Sequence, residues 1–177
     1  MKLVILDRDG VINLDSAQYI KSPEEWKPIP GSLEAIARFT QAGFHVVVAT
    51  NQSGVGRGLF DMATLNAMHD KMHKAAGQLG GRIDAVFFCP HAHDAGCACR
   101  KPKPGMLLEI AGRFDIALDT VPVIGDSLRD LQAASAAGGR PILVLTGKGE
   151  QTLKAGGLPD GTEVHKDLAA AATALVA

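Results

Sequence analysis

Residues 3–10 read Leu3-Val4-Ile5-Leu6-Asp7-Arg8-Asp9-Gly10, with Val11 and Ile12 next. Four consecutive apolar residues without helical spacing suit a strand buried on both faces of a parallel sheet. The run stops at two aspartates two positions apart, then a glycine. Ligands of open α/β sheets gather at the C-terminal edge of the strands. Asp7 and Asp9 therefore stand where a carboxylate pair can share a divalent cation, or where one attacks while the other moves a proton. Taken alone, Asp-x-Asp-Gly also fits a strand running into a turn, with both carboxylates solvated or capping a helix.

Further along the chain the same pattern recurs. Phe44 to Ala49 ends at Thr50-Asn51-Gln52-Ser53-Gly54, and Ala85 to Phe88 runs into Cys89-Pro90-His91. Val121 to Ile124 ends at Gly125-Asp126-Ser127, Ile142 to Leu145 forms a fifth run, and a short extended piece lies near Val164. Between these runs the spacing predicts helices over 31–42, from an Asp61 cap to about Gln78, from Pro104 to about Phe114, and over 128–137. A glycine-rich loop and an Ala-rich closing helix end the chain. Residues 11–30 predict a long loop holding the only Tyr and Trp, Tyr19 and Trp26. A loop in that position serves as a lid or binding loop, although Trp26 equally suits a residue pinning the loop to the body. Strands alternating with helices, with no repeat or linker, predict one three-layer α/β domain over residues 1–177 with a central parallel sheet.

Composition narrows the function classes. At 46% hydrophobic and 21% charged, 177 residues suffice for one full core and argue against disorder. A net charge of −1 provides no basic field for nucleic acid. No apolar stretch approaches membrane-spanning length and the chain opens without a charged-then-apolar leader, so a cytoplasmic location is expected, with no membrane partner. Three cysteines, all between Cys89 and Cys99, cannot all pair, and in a reducing compartment such a cluster suggests metal.

Right-handed crossovers place all the strand ends on one rim. Asp7, Asp9 and Asp126 would repel one another there unless a hard cation sat among them, and Mg2+ is the natural candidate. Thr50, the turn amides and Lys101 are donors suited to a phosphoryl group. No G-x-x-x-x-G-K-[ST] or G-x-G-x-x-G sequence occurs, so neither kind of nucleotide cradle is indicated. Gly125-Asp126-Ser127 alone reads as a turn and helix cap; its position, matching Asp7, makes it a candidate. Cys89-x-His91 and Cys97-x-Cys99 supply four ligands for a closed tetrahedral zinc, with His93 as a spare and buried free thiols as the plain alternative. A zinc there would pin the loop that presents Arg100 and Lys101. His69 and His73, one turn apart without a carboxylate partner, are expected at the surface.

The four motifs in order, Asp-Arg-Asp-Gly, Thr-Asn-Gln-Ser-Gly, Arg-Lys-Pro-Lys-Pro and Gly-Asp, resemble the haloacid dehalogenase superfamily of phosphatases over about residues 3–130. The resemblance implies a Rossmann-like core in which Asp7 attacks phosphorus and Asp9 protonates the leaving oxygen, then activates water. It implies that Thr50 holds a phosphoryl oxygen, that Lys101 balances charge, and that Asp7, the Asp9 backbone carbonyl and Asp126 ligate Mg2+. Cys-Pro-His, Cys-x-Cys-Arg-Lys-Pro and Asn-Gln-Ser-Gly-x-x-Arg-Gly are similar to the zinc-loop phosphatases of that superfamily which act on a heptose 1,7-bisphosphate. That narrower likeness implies removal of the C7 phosphate in nucleotide-heptose and lipopolysaccharide precursor synthesis. It implies recognition by Arg100, with Asn51, Gln52, Arg57, Asp15 and Tyr19 as further contacts, and favours His91 as the zinc ligand. Ser127 departs from the lysine common in relatives. Histidinol-phosphate phosphatase is the nearest rival; a polynucleotide 3′-phosphatase lacks a basic stripe here, and a receiver-like module would not need the Asp-x-Asp pair. No helical insertion separates the motifs, so no cap domain is expected. No apolar helical face is left over, so a monomer is expected.

Overall fold

The computed structural model describes residues 1–177. Its strands are β1 (Lys2–Leu6), β2 (Phe44–Asn51), β3 (Ala85–Cys89), β4 (Pro122–Gly125), β5 (Arg140–Val144) and β6 (Glu163–His165). They form one sheet in the order β3-β2-β1-β4-β5-β6, and every neighbouring pair is parallel. The uniformly apolar run of β1 follows from its central place. Val4 and Leu6 point into the larger core, while Leu3 and Ile5 point into the smaller one on the opposite face.

Helices α1 (Ser32–Gln41), α3 (Met62–Gln78) and α7 (Leu168–Val176) cover the larger core through Ile36, Phe39, Leu65, Met68, Met72 and Leu168. Helices α4 (Gly105–Phe114) and α5 (Leu128–Ala136) cover the smaller one through Leu107, Ile110, Ala133 and Ala134. A single turn, α2 (Ser53–Gly56), follows β2. Helix α6 (Gly149–Ala155) stands where the sequence predicts only a glycine-rich loop. It is short and its one large apolar residue, Leu153, is exposed, so it leaves no periodic signature.

This strand order reverses direction between β1 and β4, and open α/β sheets bind ligands outside that switch point. The elements that lead into it are few. The loop over residues 11–30 is tied down by Ile29 N–H to the Ile12 carbonyl and Leu14 N–H to the Lys27 carbonyl, both at 2.9 Å. Trp26 is fully buried, and Lys71 Nζ lies 5.8 Å from its ring centroid while donating to the Pro23 and Trp26 carbonyls. Trp26 therefore pins the loop to the body, which leaves Asp15 to Tyr19 at the mouth of the switch-point crevice. No inserted domain covers that mouth, as the sequence predicts. No helix is long and apolar enough to cross a membrane.

Candidate active site

Asp7 leaves the end of β1 and Asp126 the end of β4, the two strands that flank the crevice. Asp130 joins them from the first turn of α5. Carboxylate oxygens of the three lie within 4.8 Å of one another. Two glycines make room for this. Gly10 has φ +84°, and a Cβ there would collide with the Asp126 carboxylate. Gly147, at φ +56°, packs against the same carboxylate, while Lys148 N–H donates to Asp126 Oδ2 at 2.9 Å. No L side chain adopts such a conformation cheaply, and none would fit the space.

Lys101 is buried at the centre. Its Nζ donates to Asp7 Oδ1 at 3.0 Å, Asp130 Oδ1 at 2.6 Å and the Ala49 carbonyl at 2.8 Å. All three ammonium donors are thus spent. Burial works against the charge of Lys101, but Asp130 and Asp7 outweigh it and hold the ammonium more firmly protonated than usual. The same lysine holds Asp130 below the ordinary carboxylate range against burial. Asp7 is pushed well above that range, first by burial and then by Asp130. Asp126 is pushed up to about 7, again by burial first and Asp130 second. Three carboxylates against one lysine leave a surplus of negative charge, and oxygen ligands in that arrangement fit a hard divalent cation such as Mg2+.

The Asp9 carboxylate is turned away from this cluster and is held from three sides. Its Oδ1 accepts from Arg8 Nε at 3.0 Å, Arg8 Nη2 at 2.8 Å and Asn13 Nδ2 at 2.9 Å. Its Oδ2 accepts only from Gln52 Nε2, at 3.0 Å. Burial alone would raise the Asp9 pKa, but the Arg8 charge and these donors win and lower it.

A cavity of about 230 Å³ opens over these groups, and only three of its 17 lining residues are hydrophobic, so it suits a charged, hydroxylated ligand. Asp15, Tyr19, Asn51, Gln52 and Arg100 line it, as do Asp7, Asp9, Lys101 and Asp126. Arg100 Nη1 is buried there without a partner, a group that only an incoming acceptor can satisfy. Asn51 exchanges two 3.1 Å bonds with the Lys101 backbone, so its amide fixes the lysine loop to the end of β2. Thr50 is buried behind the lining, its hydroxyl accepting from Gln52 Nε2 at 2.9 Å. Arg57 stands outside the lining on the rim, bonded to His93 Nδ1 at 2.7 Å and lying 5.9 Å from the Tyr19 ring centroid. Its guanidinium is engaged by the two loops.

Sequence reasoning passes over Asp130, Arg129 and Lys148, all of which line the cavity. Asp130 was findable: it follows Asp126 by four residues, in the first turn of the helix that Ser127 caps. Ser127 forms a capping box with Asp130, its hydroxyl donating to Oδ2 at 2.9 Å. His69 corrects the expectation of a surface residue. Its partner is the Arg8 guanidinium rather than a carboxylate, and it is only 6% exposed, whereas His73 is exposed as expected.

Beyond β3, Cys89, His91, Cys97 and Cys99 come together. Cys89 Sγ is 3.6 Å from Cys97 Sγ and 3.4 Å from His91 Nδ1, and His91 Nδ1 is 3.3 Å from Cys99 Sγ. Tetrahedral zinc with Zn–S of about 2.3 Å and Zn–N of about 2.0–2.1 Å has edges of roughly 3.6–3.8 Å, so the set fits with little adjustment. His93, turned to Arg57, is outside it. The Cys97 thiol is brought down to about 6; burial opposes this, but the Arg100 N–H and the neighbouring ligands outweigh it. Lys103 Nζ donates to the Cys97 carbonyl at 2.9 Å, linking the cluster to the segment that carries Arg100 and Lys101.

Comparison with known proteins agrees with this geometry. The family profile described as polynucleotide kinase 3 phosphatase matches residues 2–134, and one described as HAD-hydrolase-like matches residues 98–171. The D-glycero-beta-D-manno-heptose-1,7-bisphosphate 7-phosphatase of Bordetella bronchiseptica is 64% identical over 176 residues, 99% of this chain and 98% of that protein. The enzyme of the same name from Pseudomonas putida is 54% identical over 176 residues, 99% of this chain and 100% of its own. A crystal structure of D,D-heptose 1,7-bisphosphate phosphatase from B. bronchiseptica, complexed with magnesium and phosphate, superposes with a TM-score of 0.99, covering 99% of this chain and 98% of that one. The first profile reports a shared catalytic core, while the full-length relatives set the narrower group. Matched over nearly its full length in sequence and in fold, the chain belongs to the D-glycero-β-D-manno-heptose-1,7-bisphosphate 7-phosphatase family of haloacid dehalogenase hydrolases.

Proposed function

We propose that the chain removes the C7 phosphate of D-glycero-β-D-manno-heptose 1,7-bisphosphate in the synthesis of nucleotide-heptose precursors of lipopolysaccharide. The observation that carries this reading is the buried Asp7–Lys101–Asp130 chain of charges beside Asp126, opening into a polar cavity. Asp7 attacks phosphorus and forms an aspartyl-phosphate as the bond to the sugar oxygen breaks. Lys101, fixed by Asp130 and the Ala49 carbonyl, sets the aim of Asp7 and offsets charge on the phosphoryl oxygens. Asp9 rests ionised, and the phosphoryl dianion arriving beside it raises its proton affinity. It takes up a proton from solvent as substrate binds, gives that proton to the leaving oxygen, and later takes one from the water that cleaves the aspartyl-phosphate. Magnesium, held by the carboxylates of Asp7 and Asp126 and the Asp9 backbone carbonyl, would neutralise the transferring group. Thr50 and the amides of the turn after β2 support the phosphoryl oxygens, and Arg100 takes the sugar side of the substrate with Asn51, Gln52, Asp15 and Tyr19 around it.

Cys89, His91, Cys97 and Cys99 would hold zinc, which would fix the loop that delivers Arg100 and Lys101. The free thiols of that cluster suit a reducing compartment, which supports a cytoplasmic location. Phosphate release from both heptose bisphosphate anomers, fructose 1,6-bisphosphate and histidinol phosphate, with and without Mg2+, tests the assignment. The expected order puts the β-heptose bisphosphate first and makes every activity metal-dependent. A preference for histidinol phosphate would overturn the substrate, and undiminished turnover in excess chelator would overturn the metal.

A further inference from the structure

Arg8, between the two aspartates of the first motif, is fully buried, and its guanidinium joins Asp9 to a residue far away in sequence. At one end it grips Asp9 Oδ1 through Nε and Nη2; at the other, Nη1 lies 3.2 Å from His69 Nε2 on α3. Arginine only donates, so His69 Nε2 is the acceptor and its proton sits on Nδ1. The imidazole is therefore neutral, in keeping with a pKa that burial, and then the Arg8 charge, bring down to about 3. The Phe88 ring lies tilted beside the imidazole, with centroids 6.3 Å apart.

We infer that His69 is a positioning residue for the proton-transfer step: through Arg8 it saturates Asp9 Oδ1, so that Oδ2 is left to give and take the proton. With Asn13 as third donor, Oδ1 has no lone-pair direction to spare, whereas Oδ2 has one partner, Gln52, which lines the cavity as Asp9 itself does. Without the acceptor on α3, Nη1 would be a buried donor with no partner, and the guanidinium would tilt to recover a bond. That tilt would release Oδ1 and blur which oxygen carries the proton. The inference rests on Asp9 as the acid of the proposed function.

The test uses leaving groups of different basicity. A sugar phosphate expels an alkoxide that must be protonated, while p-nitrophenyl phosphate expels a stable phenolate that need not be, and kcat/KM isolates formation of the aspartyl-phosphate. In His69→Phe, kcat/KM for the sugar phosphate should fall by about tenfold or more, a fraction of the roughly 10²–10⁴-fold worth of a general acid. The aryl phosphate should change by less than about threefold. His69→Gln, whose amide oxygen reaches close to the Nε2 position, should restore most of the loss. If His69→Phe does not fold, His69→Asn, too short to reach Arg8, carries the same comparison against His69→Gln. Equal losses on both substrates, or no loss, would overturn the role of His69 provided that Asp9→Asn shows the leaving-group difference. If Asp9→Asn lacks that difference, Asp9 is not the acid and the inference fails with the reading beneath it.

Discussion

Asp130 shows how much one unannounced side chain governs. It is the nearest partner of Lys101, and it sets Ser127 as well, so its removal leaves Asp7 as the lysine's one carboxylate partner beside the Ala49 carbonyl. Asp130→Ala should lower kcat by about 10²–10³-fold with a smaller change in KM, measured as steady-state phosphate release. Asp126 sets a pH dependence whose sign is fixed by its folded pKa of about 7, above the ordinary 3.8. Its protonated form favours folding at low pH, and that contribution is lost as pH rises through about 7. A cation needs the ionised form, so Mg2+ should raise Tm more at pH 8 than at pH 5, read by scanning fluorimetry. Asp7, Asp9 and Asp126 were legible because each ends a buried apolar run. The Arg8–His69 contact was not, because it joins residues 61 apart and local spacing carries no record of it.

Among the elements, the segment from β3 to α4 links the Cys/His cluster to the acidic cluster, two groups that share no residue. Its cluster of Cys89, His91, Cys97 and Cys99 lies just before Arg100 and Lys101, and Gly105 packs on the Ala98 carbonyl, leaving no room for a side chain. Cys99→Ser should lower zinc content and drop Tm by roughly 5 °C, about 2 kcal/mol in a domain of this size. It should also raise KM through Arg100 while the Mg2+ requirement persists; metal analysis, a melting scan and steady-state kinetics check the three effects. The strands were readable here to within one or two residues because burial on both faces writes a continuous apolar run. The helix α6 was not, since a short helix with an exposed Leu153 leaves no periodic trace.

At the scale of the whole molecule, the six-stranded parallel sheet puts every reacting group at one seam between β1 and β4. That much follows from the alternation of strands and helices plus the handedness of crossovers. The substrate side does not, because motif spacing carries no record of how Arg57, a predicted substrate contact, stands on the rim beside His93 and Tyr19. Magnesium with beryllium trifluoride, a stand-in for the phosphoryl group, should raise Tm yet leave the small-angle scattering profile unchanged. A contraction of that profile would reveal a closing motion that a single frame without a cap has no hinge to make. A lidless pocket cannot divert binding energy into shutting itself, so its selectivity is written in fixed spacings between cations. Sugars that keep the distance between two phosphates should then compete well even with altered hydroxyls, whereas shortening that distance by a single carbon should cost more than any change of ring stereochemistry.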